Sequence, residues 1–367
     1  MVAPQAFVGT VNVNKRGPTM ADRILNIGFI GNGKGTNRYH APFSLARPDK
    51  FRIKTIQARH ISHDAWPAIP GTDYVTDMAA MLADPDIDIV EVSTPPQTHY
   101  ALTKAALQAG KHVVCDKPFA ETAAQGEELF ALAADKGVTV QCYQNRRFDS
   151  DFLTAKQVAE SGKLGKVFEV ITHYDYWRPE FVRMSHEADY DRMNGIVYGH
   201  SCHCIDQLIS WFGIPDRWHA EARQLGGEGH PDMYFDFDLY YDELGIKATA
   251  AANYTCAIQR PSFEVYGEMG TFVRVEKDQQ ERDLKKFYLP VGHADFGLDT
   301  PEQWGTLRYY DADWHMHEER VEPVRSTYSL FFDALYETVA NGAPQLVKPE
   351  ETIAQLRIME DATRDLR

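Results

Sequence analysis

Four short stretches of this 367-residue chain carry residue types that could do chemistry together. The first is Gly31-Asn32-Gly33-Lys34-Gly35-Thr36, a glycine-dense turn after the apolar run Ile24–Ile30 and before a helix-compatible segment. A dinucleotide pyrophosphate needs that order. Gly31 allows the tight turn, Gly33 lets the backbone approach the phosphates, and the following helix points its free N–H groups at the anion. The match to G-x-G-x-x-G is imperfect, because the third glycine falls on Thr36 with Gly35 one position early; alone, the turn also reads as an ordinary strand-to-helix loop. The second stretch, Gln57-Ala58-Arg59-His60, ends a β-rich run. It has no acid for ribose hydroxyls, and its Arg59, beside His60, matches the geometry of a 2′-phosphate; NADP(H) is therefore preferred, with NAD(H) possible. The third and fourth, Ser93-Thr94-Pro95-Pro96-Gln97-Thr98-His99 and Cys115-Asp116-Lys117-Pro118, also end strands. Ligands of a doubly wound sheet sit beyond the carboxyl ends of its strands, which places Ser93, Thr94, Pro95, His99, Asp116 and Lys117 on the cofactor crevice.

These stretches need a scaffold that brings them together. Apolar runs at Ile24–Ile30, Phe51–Ala58, Ile87–Ser93, His112–Cys115 and Val138–Tyr143 read as strands. Helical patterns lie between them at Asp77–Ala83, Thr98–Ala109 and Ala123–Lys136, with Gly110 and Gly137 as stops. Regular β-α alternation implies a parallel sheet covered on both faces, the context the glycine turn requires. The pattern then changes. A helical segment, Phe152–Ser161, precedes strand-like runs at Lys166–His173, Trp218–Leu225, Met233–Tyr241, Ile246–Asn253, Ser262–Tyr266 and Thr271–Val275. Short turns between neighbours imply antiparallel pairing. Two helices, near Ser326–Asn341 and Pro349–Leu366, close the chain. The expected class is an α/β Rossmann domain followed by an α+β domain with an open, mostly antiparallel sheet. The expected divisions are an N-terminal extension over 1–21, a dinucleotide-binding domain over 22–147, and a substrate-binding and oligomerisation domain over 148–367 whose last helix packs back on the first. Residues 278–325 read as a long surface excursion, and Met20 as a candidate natural start.

Composition narrows the class of function. A formal net charge of −15 argues against a general nucleic-acid binder. No apolar run approaches the roughly 20 residues that span a bilayer, and the first 21 residues lack the apolar core of a secretory signal. Five cysteines without framework spacing suit reduced thiols in a cytoplasmic setting. His200, Cys202, His203 and Cys204 form a compact group, yet no second ligand pair accompanies them, so no metal is expected. His315 and His317 read as residues of a solvated loop.

Several motifs in order carry a family resemblance: Tyr39-His40-Ala41-Pro42, Ser93–His99, Gly110 to Pro118, Gln144-Asn145-Arg146-Arg147-Phe148-Asp149 and Cys202 to Gln207. With Phe263–Phe272 and Trp304–Leu307, the chain resembles the Gfo/Idh/MocA oxidoreductases from about Leu25 to its last helix, nearest their NADP-linked inositol-dehydrogenase-like members. The resemblance implies hydride transfer between NAD(P) and a sugar, inositol or related polyol. It implies a second-domain sheet that floors the substrate site and joins subunits, here as a homodimer or homotetramer. Lys117 falls on the family's E-K-P lysine, with Asp116 in place of the glutamate, and His203 on its active-site histidine; Asn145 falls among the cofactor contacts. The chemistry is consistent with these roles, since a histidine can take the alcohol proton and an ammonium can stabilise a developing alkoxide. One departure matters. The family pattern Asp-x-Gly-x-His reads Gly199-His200-Ser201-Cys202-His203 here, which removes a carboxylate that would orient the imidazole. His200 could assist or replace His203.

For substrate, Tyr176-Trp177-Arg178-Pro179 follows the first strand of the second domain. Arg178 could donate to hydroxyls or a carboxylate, and Trp177 could pack on a sugar ring, the nicotinamide or the core edge. Asp175, Tyr198 and Asp206 are further candidate contacts. Two other readings of the scaffold stand beside the dehydrogenase: a non-catalytic NAD(P)-binding sensor, kept open by Gly199, and a redox-assisted glycosidase.

Overall fold

Six short strands from the first third of the chain pair into one parallel sheet in the computed structural model, which describes residues 23–180 and 190–366. The extension over 1–21, with Met20, lies outside the described residues. The strands are β1 Leu25–Ile30, β2 Phe51–Gln57, β3 Asp73–Val75, β4 Ile89–Val92, β5 His112–Cys115 and β6 Val140–Cys142, in spatial order β3-β2-β1-β4-β5-β6. The order reverses between β1 and β4, where a doubly wound sheet opens a crevice at its carboxyl edge. Every residue of β4 is buried, as helices on both faces of the sheet demand. Sequence periodicity misses β3, because its three residues at the sheet edge are exposed or half-buried and carry no alternation.

The helix Ala123–Lys136 has the bounds its sequence implies. The Thr122 hydroxyl accepts the Gln125 N–H at 3.2 Å and Gly137, at φ 66°, ends it; such an N-cap contributes about 1 kcal/mol. The closing helix Pro349–Ala362 crosses it at Gly126, where an added Cβ would stand 2.9 Å from Ile353 and Leu356. The Ala123 N–H also donates to Glu360 at 3.0 Å. The last helix is thereby fastened to the helical layer of the first sheet.

The second sheet has eight strands: β7 Val167–His173, β8 Arg217–Arg223, β9 Tyr234–Tyr241, β10 Ile246–Asn253, β11 Phe263–Gly267, β12 Gly270–Arg274, β13 Gly305–Tyr310 and β14 Met316–Val321. Their order is β14-β13-β12-β11-β7-β10-β9-β8; β7 pairs with β10 in parallel, and the other neighbours are antiparallel. Strict alternation along β9 turns Phe235, Phe237, Leu239 and Tyr241 inward. Helices Ser150–Glu160 and Cys202–Phe212 cover that face, where the Phe152 ring meets Phe263 and Trp211, each at 5.9 Å.

Residues 278–325 are more than a surface excursion. They contain the helix Gln279–Lys285 and strands β13 and β14, which lengthen the sheet. On β14, His317, Glu318, Glu319 and Arg320 place charge on an edge strand, which protects the edge and also hides its strand pattern from a hydropathy reading. His317 therefore belongs to a strand and not to a loop, with Nε2 2.8 Å from Asp311; His315 is exposed in the preceding turn.

Candidate active site

Two adjoining cavities open at the carboxyl edge of the first sheet. The larger, about 860 Å³, is walled by the glycine turn, Arg59, Ser93–Pro95 and Asp116. That volume lies within the roughly 300–1,000 Å³ usual for ligand pockets. Gly31 sits at φ +109°, and a Cβ there would come within 2.6 Å of the Ser93 carbonyl oxygen, so only glycine allows β1 and β4 to end side by side. A Cβ on Gly33 would meet nothing within 4 Å, which leaves open backbone facing the cavity. This cradle fits a dinucleotide: the turn would hold the pyrophosphate, and Arg59 at the end of β2 would face the adenosine ribose.

Two residues expected on the cofactor brace the loops instead, and a third lies off the cleft. Thr36 is fully buried; its hydroxyl donates to the Gly31 carbonyl at 2.7 Å and lies 2.5 Å from Ser93 Oγ, bracing the turn from behind. His99 is also buried, with its ring nitrogens 2.7 Å from the Pro118 carbonyl and 2.9 Å from the Thr94 carbonyl. It ties together the loops that follow β4 and β5. His60 is exposed and lines neither cavity.

The second cavity, about 400 Å³, holds Lys117, Asn145, Tyr176, Arg178, His200 and His203. It shares Lys34, Gly35, Thr94 and Asp116 with the first, so the two form one cleft. Lys117 is fixed by donating from Nζ to the Gly199 carbonyl at 2.9 Å. Gly199 belongs to the turn Val197–Ser201, which runs directly into the helix Cys202–Phe212 and so places His200 and His203 on consecutive turns. The Asp232 carboxylate accepts the Val197 N–H at 2.7 Å and satisfies the start of this turn. A Cβ on Gly199 would meet nothing within 4 Å, so the backbone leaves room for the first atom of a side chain there.

The electrostatics of the two histidines follow from this placement. His203 is buried, and its Nδ1 has no hydrogen-bond partner among the described residues. Burial, then the charges of Lys117 and Arg146, hold it well below the ordinary histidine range. His200, whose Nδ1 lies 3.1 Å from the Tyr254 hydroxyl, is pushed the same way by burial, Lys117 and Arg146. Both rings therefore stay neutral at pH values where a free imidazole is half charged. Because the folded-state values are depressed, protonation sets in only at more acidic pH. The rate should stay flat from pH 8 to about 6, without the half-loss that an unperturbed histidine near pH 6.5 would impose. A pH–rate profile checks this, and an inflection near 6.5 in kcat contradicts it.

Sequence reasoning missed the groups that hold the site. His40 and Glu91 are fully buried, with His40 Nδ1 2.6 Å from Glu91 and Nε2 3.5 Å from Asp116. Burial pulls His40 down, but Asp116 and Glu91 outweigh it and leave it at about 9. Burial raises Asp116, yet His40 and Lys117 hold its carboxyl at about 2. A charged His40 thus anchors the loop that carries Lys117. On the opposite wall Arg146 pairs with Glu281 at 2.9 Å and Asp149 at 3.1 Å. No local signal marks His40 or Glu281 as partners, since each meets residues far away in the chain.

The secondary candidates are mostly structural. Asp206 is locked in two 2.7 Å hydrogen bonds from Arg147, and the Tyr198 hydroxyl donates to the Glu121 carbonyl at 2.7 Å. Asp175 accepts two 2.8 Å hydrogen bonds from Arg260. Trp177 does not line the cavity of Lys117 and His203; it lines a neighbouring one with Asp175. All five cysteines are free, and burial pushes the thiols of Cys202 and Cys204 up to about 11 and about 12.

Comparison with known proteins agrees with this geometry. A family model described as "Oxidoreductase family, NAD-binding Rossmann fold" matches residues 25–144, and one described as "GFO/IDH/MocA C-terminal domain" matches residues 152–273. The chain belongs to the Gfo/Idh/MocA oxidoreductase family. It is 40% identical over 338 residues to the uncharacterised oxidoreductase YhhX of Escherichia coli K12, covering 92% of this chain and 95% of that protein. It is 30% identical over 341 residues to IolW of Bacillus subtilis, named a scyllo-inositol 2-dehydrogenase (NADP(+)), covering 92% of each chain. The crystal structure of YhhX, described as a probable oxidoreductase, superposes with a TM-score of 0.86 at 39% identity, over 93% of this chain and 97% of that one. This family member is thus an oxidoreductase with an NAD-binding Rossmann domain. Among its described residues, no helix is long and apolar enough to cross a membrane.

Proposed function

We propose that this oxidoreductase prefers NADP(H) and moves a hydride to or from the C–O centre of a sugar, an inositol or a related polyol or ketone. The observation that carries the reading is the single cleft, in which the lobe of Lys117 and His203 opens onto the glycine-turn lobe through shared walls. A bound nicotinamide supplies the hydride acceptor or donor. The protein supplies the polar half of the reaction. Lys117, held on the Gly199 carbonyl, donates a hydrogen bond to the reacting oxygen and stabilises its alkoxide character. His203, kept neutral, accepts the hydroxyl proton; for carbonyl reduction it must first take up a proton from solvent, which it then passes to the oxygen that Lys117 holds. Without an aspartate at position 199, burial and nearby cations keep His203 neutral, free to accept a proton but with lowered basicity. Tyr176, half-buried on the wall, offers ring surface, and Arg178 and Asn145 offer polar edges, which suits a polyol with apolar C–H faces.

The specificity named for IolW supports the choice of cofactor and substrate class. The test is NADP⁺ reduction, and NADPH oxidation, over a panel of inositols, sugars and ketoses. The reading requires sustained turnover with at least one. Tight cofactor binding with no turnover would instead favour the sensor, and glycoside cleavage without net cofactor consumption the redox-assisted glycosidase.

A further inference from the structure

The substrate lobe does not end at Tyr176. Through Tyr176, Glu281 and Lys285 it shares a wall with a third cavity of about 350 Å³, close to the roughly 400 Å³ of the lobe that holds Lys117 and His203. The rim of this third cavity carries Trp177, which is 59% exposed. Its backbone is pinned on both sides. The Tyr176 N–H donates to the Asn253 carbonyl at 3.1 Å, the Arg178 N–H donates to the Tyr254 carbonyl at 2.7 Å, and Trp177 itself bridges to Thr255. A large aromatic side chain, carried on a pinned backbone and left open to solvent beside a polar hollow, is a platform for an apolar face.

The charges around that hollow cancel locally. Asp175, Asp278 and Glu281 in its lining face Lys277, Arg282 and Lys285; Asp175 is paired with Arg260, Arg282 with Glu276 and Lys285 with Glu281, while Lys277 donates to the His173 carbonyl. A hollow whose lining charges balance in this way has no net pull on an ion of either sign. It presents hydrogen-bonding groups to a neutral polar ligand, and Gln259 adds an amide to them. An aromatic platform with neutral polar edges is the complement of a pyranose ring, whose C–H face is apolar and whose rim is hydroxylated.

We propose that the third cavity is a second sugar subsite, and that the substrate is a two-ring glycoside: one ring presents its alcohol carbon to Lys117 and His203 while the other stacks on Trp177. This inference rests on the proposed oxidoreductase function. Its test compares kcat/KM for glucose with that for cellobiose and maltose, and for myo-inositol with that for galactinol, in the wild type, Trp177→Ala and Trp177→Phe. At least one two-ring compound is expected to exceed its one-ring counterpart by about 10-fold, the size of a good aromatic stacking contact. Trp177→Ala should bring that ratio to about 1, and Trp177→Phe should largely keep it. A wild type that favours the one-ring compound in every pair, or a ratio untouched by Trp177→Ala, overturns the subsite. Turnover of one-ring compounds alone leaves the proposed function standing and removes only this inference. Absence of turnover with every compound counts against both.

Discussion

Replacing Lys117 with alanine is expected to lower kcat by about 10³-fold, the scale seen when a preorganised donor to a developing oxyanion is removed. Lys117 is the cation that the fold places most deliberately. Asp116 and a charged His40 hold the loop before it, and the Gly199 carbonyl holds its Nζ from the opposite domain. Its ammonium thereby links the loop after β5 to the turn Val197–Ser201 inside the smaller lobe. The protein should remain folded, because the side chain makes one hydrogen bond to a backbone carbonyl, and losing such a bond costs about 1 kcal/mol. Lys117→Arg should not restore the rate, since a planar guanidinium cannot present a compact point charge at the same atom. Steady-state turnover and thermal melting, measured together, check this. Wild-type turnover in a folded Lys117→Ala protein contradicts the assigned role.

Arg59→Ala is expected to raise the Kd for NADPH by roughly 10- to 100-fold, the worth of a charge-assisted hydrogen bond, and to leave NADH binding nearly unchanged. Arg59 follows β2 and lines the large cavity. Gln57, two positions earlier, also lines this cavity, and its amide donates to the Thr76 carbonyl at 3.1 Å. Residues 57–60 carry no carboxylate to hold ribose hydroxyls, which is why Arg59 is the residue expected to discriminate. Fluorescence titration with both cofactors decides the point. Equal losses, or no loss, reject Arg59 as the discriminating residue.

Much of the fold was legible because its signals are local. The glycine turn, the caps at Thr122 and Gly137, and the alternation along β9 each lie within a few residues, and the parallel sheet follows from their repetition. The closing strands β13 and β14 were not legible: β14 is an edge strand rich in charge, and β13, beside it, opens on Gly305 and is exposed or half-buried over its last three residues. The site divides in the same way. Lys117, His203 and the turn Gly31–Gly35 could be found from motifs, and they line one cleft. Thr36 and His99 carry the same motif signal, yet they brace the loops from behind, since a sequence shows which residues sit at a strand end but not which side of the loop they face. His40, Glu91, Arg146 and Glu281 act through partners distant in sequence. Their roles depend on burial and pairing, which only the folded chain displays.

The central claim is that Lys117 and His203 face one reacting carbon beside the nicotinamide. A crystal structure with NADP⁺ and a turned-over polyol tests it most directly. The account predicts that Lys117 Nζ and a His203 ring nitrogen both lie within hydrogen-bond distance of one substrate oxygen, with the nicotinamide C4 in contact with the carbon that bears it. A nicotinamide ring outside the Lys117 lobe, or a substrate oxygen held by neither residue, would contradict it.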